Sequence, residues 1–329
     1  MEDFIQILID AYSEAEQRLL QRVAFYLSTG IDSPEWHDQK LAQIQKLRSE
    51  AVQILLALKD KDPAAKQAII NAYLENEHVS DSFIHTNTDS INALVSDLLN
   101  NLTNARYQVL RSTQDIYRST VAQASTQAAI GVDVRLRAAQ RALDSFANEG
   151  IVGFIDSAGR HWDIRSYVEM STRTALLNAQ RQGRAARLEA NGKDLIIVSS
   201  HPNPSPECQP YERKILSLSG SDDRYTSLDL AKSNGLFHPN CKHSFTAYVP
   251  GLTDTSAPVE TDNYEETQEQ RYLERSIRQW KRRLAVSIDD QAEQRAKQRI
   301  RDRQAQLREL TSKYDLVRKS NRESLTQVR

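Results

Sequence analysis

Apolar residues recur every three or four positions through most of the first 150 residues. Between Glu2 and Leu27 this period is typical of an amphipathic helix with one buried stripe. Gly30 ends the segment, and Ser33 followed by Pro34 is a common start for a second helix. Further helices are predicted over about 34–58, 62–77, 89–129 and 134–148. The pattern therefore predicts a helical region over residues 1–150.

The pattern changes between residues 151 and 255, where short β-branched runs alternate with turns. Two such runs flank the turn at Asp156–Gly159, which predicts a hairpin. An amphipathic helix is predicted from Asp163 or Ser166 to Ala190. Strands are predicted over 195–199, 214–218 and 244–249. This region is expected to be a small α+β core with a mixed sheet.

Long helical patterns return in residues 256–329, with predicted helices over 265–284 and 289–314. The sequence thus predicts a mostly α protein with a small α+β core. Its three regions are a helical N-terminal region at 1–150, which we expect to dock on partner proteins, the core at 151–255, and a basic helical C-terminal region at 256–329.

Composition agrees with a helical, water-exposed chain: 26% of the 329 residues are charged and 7% are aromatic. No apolar run approaches the roughly 18 residues that a membrane-spanning helix requires, so we expect no membrane insertion by this chain alone. Charge is unevenly distributed. Tyr264–Arg329 holds 17 lysines and arginines against 11 acidic residues, a net charge of +6, whereas the whole chain carries −1. The low aromatic content predicts that the acidic N-terminal helices bury their stripes against a partner.

Both cysteines of the chain lie in short loops that also hold proline and histidine. One loop runs from His201 to Cys208, and the other contains His238 and Cys241. The first loop leaves a predicted strand and the second enters another, so we expect them to meet and fasten the sheet. Zinc takes cysteine and histidine ligands in closed tetrahedral sites, which makes these four residues candidate metal ligands.

Two alternatives to a metal site remain open at this stage. A disulfide between Cys208 and Cys241 requires an oxidising compartment, for which the sequence shows no signal peptide. Alternatively, packing and hydrogen bonds alone hold the two loops together. His243 is a substitute ligand if His201 points away from the cluster.

Common catalytic motifs are missing from the sequence: it has no phosphate-binding glycine loop, no HExxH and no GxSxG. Cys241 beside His238 or His243 resembles the thiol and imidazole of a hydrolase, so a metal-dependent nuclease or hydrolase is kept as an alternative. Glu169 and Arg173, four residues apart on one helix, are interpreted as a structural ion pair.

The C-terminal region offers candidate DNA contacts. Interleaved acidic residues favour a solvated helix face or a helical partner over sequence-independent phosphate contact. A DNA-binding protein ejected with the genome is a third functional alternative. The candidate residues are Lys281, Arg282, Arg283, Arg295, Lys297, Arg299, Arg301 and Arg303.

Ordered blocks from about residue 150 onward resemble one protein family. These blocks are Tyr167–Met170 with Arg173-Thr174, Ser199–Cys208, Gly235–His243, Gln270–Tyr272, Ile277-Arg278 and Lys281-Arg282. They resemble the minor capsid protein 2 family of tailed phages and prophages of Gram-positive bacteria, which is similar to Mu protein F-like head morphogenesis proteins. Upstream of Ile151 the resemblance is weak. Lys242, where the family usually has arginine, and the missing Gln-Gly near Tyr211 and Lys214 are departures that remove no candidate ligand.

The resemblance implies a structural protein of the phage head rather than an enzyme. It further implies a position at the portal vertex of the virion, in few copies, after assembly in the host cytoplasm. The implied partners are the portal protein, other head proteins and, non-specifically, phage DNA during packaging or delivery.

Overall fold

Helices make up about 71% of the computed structural model. The structure describes residues 2–31, 33–75, 80–127, 132–149, 154–155, 161–258 and 263–325. The helices are α1 (Glu2–Ser28), α2 (Trp36–Leu56), α3 (Asp62–Leu74), α4 (Asp81–Gln127), α5 (Val132–Glu149), α6 (Ile164–Ala190), α7 (Leu228–Ser233), α8 (Tyr264–Ala285), α9 (Asp290–Lys313) and α10 (Ser320–Glu323). The strands are β1 (Phe154–Ile155), β2 (His161–Trp162), β3 (Leu195–Val198), β4 (Ile215–Ser217) and β5 (Phe245–Ala247). The predicted mostly α fold with a small α+β part is confirmed.

The chain forms two compact units, each built from several segments. The sheet unit comprises Met1–Ile5, Asp62–Asn101 and Glu169–Thr267. The helical unit comprises Gln6–Lys61, Leu102–Val168 and Gln268–Arg329. The three regions predicted from the sequence, 1–150, 151–255 and 256–329, do not coincide with these two units. Their functional assignment stays a prediction.

Within the helical unit, the apolar stripe of α1 is buried. Leu8, Leu19, Leu20 and Leu27 are fully shielded from solvent. The indole nitrogen of Trp36 donates to the carbonyl oxygen of Leu27 at 3.1 Å, which ties the start of α2 to the end of α1. The expectation that this stripe needs a partner chain is therefore wrong for these residues, because the chain covers them itself.

The C-terminal helices α8 and α9 share an apolar cluster in the helical unit. It consists of Leu273, Ile277, Leu307 and Leu310. Arg282 on α8 is buried, and its Nε donates to the carbonyl oxygen of Ala147 at 3.1 Å. Among the described residues, no helix combines the length and apolarity needed to cross a bilayer.

The sheet unit is organised around β3, which pairs with β4 on one side and β5 on the other. Both ladders are antiparallel, whereas a mixed sheet was expected; an isolated parallel bridge joins Ser217 and Ser227. The short hairpin of β1 and β2 in the helical unit is confirmed, although its predicted turn at 156–159 lies outside the described residues. The sheet core contains Ile196, Val198, Cys208, Leu216, Leu218, Leu228, Ala231, Leu236, Cys241 and Phe245.

Candidate functional site

The two cysteine loops meet because β3 and β5 are antiparallel neighbours. Val198 at the end of β3 is paired with Phe245 at the start of β5. The loop that leaves β3 and the loop that enters β5 therefore begin side by side. The sulfur atoms of Cys208 and Cys241 lie 3.4 Å apart, with both thiols reduced. The predicted meeting of the two loops is confirmed.

Three side chains of the types that can bind a metal converge at this point. Cys208, Cys241 and His243 are 0%, 4% and 3% exposed, and their donor atoms all lie within 4.8 Å of one another. The Cys241 sulfur is 3.3 Å from Nδ1 of His243. The backbone nitrogen of His243 donates to the Cys241 sulfur at 3.4 Å, which keeps these two residues side by side.

A buried carboxylate holds the far side of the His243 ring. Nε2 of His243 is 2.7 Å from Oε1 of Glu212. The same oxygen accepts a 2.7 Å hydrogen bond from the backbone nitrogen of His201. Glu212 thus orients His243 and ties the first loop to the second. Sequence reasoning missed Glu212, which carries no motif and lies 31 residues from its partner.

The two histidines that the sequence predicted as ligands lie at the edge of the buried cluster formed by Cys208, Cys241 and His243. His201 stacks edge-on against His243 with ring centroids 4.9 Å apart, and its Nε2 is 3.2 Å from the Ser199 hydroxyl. His238 is half-buried; its Nε2 lies 2.8 Å from the Ser205 hydroxyl and its Nδ1 lies 2.9 Å from the carbonyl oxygen of Pro239. The converging set therefore contains His243, which the sequence offered as a substitute for His201.

Side chains of helix α6 hydrogen-bond the second cysteine loop. Nε of Arg181 donates to the His243 carbonyl oxygen at 2.9 Å, and Nη2 donates to the Cys241 carbonyl oxygen at 3.1 Å. Thr174 and Arg173 both hold Asn240, whose backbone is in the left-handed region at φ 67°. Arg173 also pairs with Glu169 at 3.0 Å, which confirms the predicted ion pair.

The electrostatics of the cluster favour one thiolate. The pKa of Cys208 is lowered, mainly by the hydrogen bond between Cys208 and Cys241. His238 and His243 lower it further. The same hydrogen bond, together with burial, raises the pKa of Cys241. Burial opposes protonation of His243, but hydrogen bonds to Cys208 and Glu212 outweigh it and raise the pKa of the ring. Burial lowers the pKa of Arg181 to about 10.

Replacing Arg181 with lysine is expected to lower the free energy of unfolding of the sheet unit by about 1–2 kcal/mol. Lysine keeps the charge but lacks the planar fork that reaches two carbonyl oxygens at once. Arg224→Lys is a matched control, because Arg224 pairs with Asp222 at the exposed surface. Urea unfolding followed by circular dichroism measures both. Equal effects of the two substitutions would show that the fork at Arg181 contributes no stability.

The predicted DNA contacts are placed in different environments. Arg282 is buried, and Arg283 lies 4.3 Å from the ring centroid of Trp280. Lys281 and Arg303 are partly buried. The exposed members of the set are Arg295, Lys297, Arg299 and Arg301 on α9.

Comparison with known proteins identifies the family. A model of the family "Phage minor capsid protein 2" matches residues 1–312, so the chain belongs to this family. A curated "Structural protein" of Lactococcus phage LL-H is 26% identical over 270 residues, which is 76% of this chain and 71% of that protein. No solved structure gives a significant match. The resemblance deduced from the sequence is confirmed, and it extends further toward the N-terminus than the motifs indicated.

Family membership defines a structural phage role for the chain. The geometry of the cluster agrees with that role, because the three converging side chains are buried and two of them, Cys208 and Cys241, belong to the sheet core.

Proposed function

We propose that this chain is a minor structural component of a tailed-phage or prophage head that associates with the portal protein at one vertex. The observation that carries the proposal is the family match, which covers both compact units. The chain is assembled in the host cytoplasm and remains in the virion in few copies. Its partners are the portal protein and other head proteins.

The buried cluster has a structural task in this proposal. Its side chains join the loop after β3 to the loop before β5 and so close one end of a sheet with three short strands. A sheet this small buries little apolar area of its own, so hydrogen bonds and packing between its loops add stability. The cysteines and histidines thereby maintain the shape of the sheet unit that contacts neighbouring head proteins.

The burial of the same side chains supports this interpretation over a nuclease or hydrolase. A nucleophilic thiol must reach its substrate, and a catalytic zinc keeps one position open for water or substrate. Cys208 has no exposed surface, and Cys241 and His243 have almost none. The chain is therefore proposed to act without catalysis.

Cross-linking of gradient-purified particles tests the portal association. We expect lysine-reactive cross-linkers to join this chain to the portal protein, identified by mass spectrometry of the cross-linked peptides. Particles lacking the portal are the control, and they should lack this chain as well. Cross-links that join the chain exclusively to tail proteins would contradict the proposal.

DNA contact by α9 remains a prediction of the sequence, and the placement of its exposed cations does not favour it. Side chains two residues apart lie about 200° apart around a helix, so Arg295 and Arg299 lie opposite Lys297 and Arg301. Lys297 also pairs with Glu293. The four cations therefore form no single stripe against a DNA backbone.

We expect the Arg295→Gln/Arg299→Gln and Lys297→Gln/Arg301→Gln double variants to bind duplex DNA as weakly as the unmodified chain. Gel-shift titrations at several salt concentrations measure this, since each lost phosphate contact lowers the salt dependence by about one unit of slope. A lower slope for one pair, with no change for the other, would instead identify that face as a DNA-binding surface.

A further inference from the structure

We propose that the buried cluster binds one zinc ion through the sulfurs of Cys208 and Cys241, Nδ1 of His243 and Nε2 of His238. This set replaces His201 of the sequence-based prediction with His243. It gives two thiolates and two imidazoles, a combination common in structural zinc sites. The zinc proposal does not depend on the proposed association with the portal protein.

Two distances between the donor atoms of Cys208, Cys241 and His243 are close to those around a tetrahedral zinc ion. Zinc–sulfur bonds of about 2.3 Å and zinc–nitrogen bonds of about 2.0 Å in a tetrahedron place the ligand atoms roughly 3.3–3.8 Å apart. The Cys208 and Cys241 sulfurs are 3.4 Å apart, and the Cys241 sulfur is 3.3 Å from Nδ1 of His243. Two of the three separations among these donors are therefore close to those of a tetrahedral site, and the third is within 4.8 Å.

Both histidines carry the outer hydrogen bond that a zinc ligand needs. A ligating imidazole donates its second N–H to a carboxylate or a backbone carbonyl, which fixes the tautomer and the ring orientation. His243 places Nε2 at 2.7 Å from Glu212, leaving Nδ1 for the metal. His238 places Nδ1 at 2.9 Å from the Pro239 carbonyl oxygen, leaving Nε2.

His238 requires the largest adjustment of the four ligands. Its Nε2 is hydrogen-bonded to the Ser205 hydroxyl at 2.8 Å, and zinc would take the place of that hydroxyl. The donor atoms that already lie within 4.8 Å of one another are those of Cys208, Cys241 and His243, so Nε2 of His238 must move toward the two sulfurs. His238 lies in a loop and is half-buried, so its ring is not fixed inside the sheet core.

The charges of the buried groups balance when zinc is present. Two thiolates neutralise the divalent ion, and the single negative charge of Glu212 equals the single positive charge of Arg181. Glu212 accepts a hydrogen bond from the backbone of His201 and lies 2.7 Å from His243, and Arg181 donates to the His243 carbonyl oxygen. A buried group of charges is tolerated when each is paired and hydrogen-bonded. Zinc would pair the two thiolates, and hydrogen bonds already satisfy Glu212 and Arg181.

A disulfide between Cys208 and Cys241 accounts for fewer of these observations. It would use the two sulfurs alone and give no role to Nδ1 of His243, which faces the Cys241 sulfur with Glu212 behind it. Metal binding gives a role to each of these buried polar groups.

Zinc content and cobalt spectroscopy of the full chain test the proposal. The chain is purified with a thiol reductant and without chelator, and its zinc is measured by atomic emission. We expect one zinc per chain, and after exchange with Co²⁺ we expect a thiolate-to-cobalt charge-transfer band with the visible bands of tetrahedral cobalt. Reduced chain that binds neither metal would overturn the proposal. An intact mass lower by two hydrogens, which marks a disulfide, would overturn it as well.

Variants identify the ligands. His243→Gln is expected to lower zinc affinity at least 100-fold, whereas the matched control His201→Gln should keep one zinc per chain. Glu212→Gln should lower affinity about 10- to 100-fold, the usual effect of losing an outer hydrogen bond. Equal zinc loss from the His243 and His201 variants would overturn the assignment. If circular dichroism shows that the His243 variant is unfolded, the cobalt spectrum of the unmodified chain decides the question. Loss of the zinc proposal would leave the portal association untouched, because particle cross-linking measures that separately.

Discussion

Replacing Glu75 with glutamine is expected to lower the free energy of unfolding of the sheet unit by about 3 kcal/mol. The Glu75 carboxylate follows α3 and binds Arg184 and Arg187 of α6, and it also accepts a 2.9 Å hydrogen bond from Gln180. All three charged side chains are largely buried. Removing the carboxylate charge therefore leaves two neighbouring buried guanidinium groups without their shared anion.

The Glu75 substitution also has a pH signature. Burial acts to raise the pKa of Glu75, but hydrogen bonds and charge from Arg184 and Arg187 outweigh it and lower the pKa. Its stabilisation is therefore full above the ordinary glutamate pKa of about 4.3 and is lost as the pH falls through the lower folded-state pKa. The glutamine variant should lack this part of the acid dependence.

Urea unfolding at neutral pH and below pH 4 measures both effects. Glu189→Gln is the matched control: it removes the same charge from an exposed position on α6, where we expect a change within about 0.5 kcal/mol. If both substitutions cost the same at neutral pH, the ion-pair cluster at Glu75 does not stabilise the fold.

Replacing Gly183 with alanine is expected to destabilise the sheet unit by about 3 kcal/mol, although alanine favours helix formation. A Cβ atom at Gly183 on α6 would overlap the backbone carbonyl of Tyr73 at the end of α3. The obstructing group is backbone, so it cannot rotate away as a side chain would. The two helices would have to separate at this crossing, where Arg187 also donates to the Tyr73 carbonyl oxygen at 2.9 Å.

Thermal and urea unfolding of the Gly183→Ala variant measure this cost. Gln182→Ala, one residue away and exposed, is the control and should stay within about 0.5 kcal/mol of the unmodified chain. Unchanged or increased stability of Gly183→Ala would show that α3 and α6 do not approach each other as closely as described.

Helical periodicity predicted most helices of this chain to within a few residues, because amphipathic stripes persist over many turns. The start of α4 was the largest error, since it lies at Asp81 rather than near residue 89. Residues 81–88 are mostly polar and weak helix formers. Their helical state depends on contacts that periodicity does not show, such as the 2.8 Å hydrogen bond from Tyr73 to Asn87.

The candidate site was predictable in part. Rare cysteines and histidines beside predicted strand ends indicated that two loops meet, and the antiparallel pairing of β3 with β5 explains why they do. Whether His201 or His243 joins the two cysteines depends on the direction of each side chain in its loop, which the sequence pattern does not show. Glu212 and Arg181 come from distant segments and carry no motif, so sequence patterns alone could not assign them.

The amount of this chain in purified particles tests its structural role most directly. Quantitative mass spectrometry of gradient-purified virions, scaled to the portal protein, should find the chain at a fixed, low ratio that survives salt washing. A chain that is abundant in the lysate but absent from washed particles would contradict a structural role in the phage head.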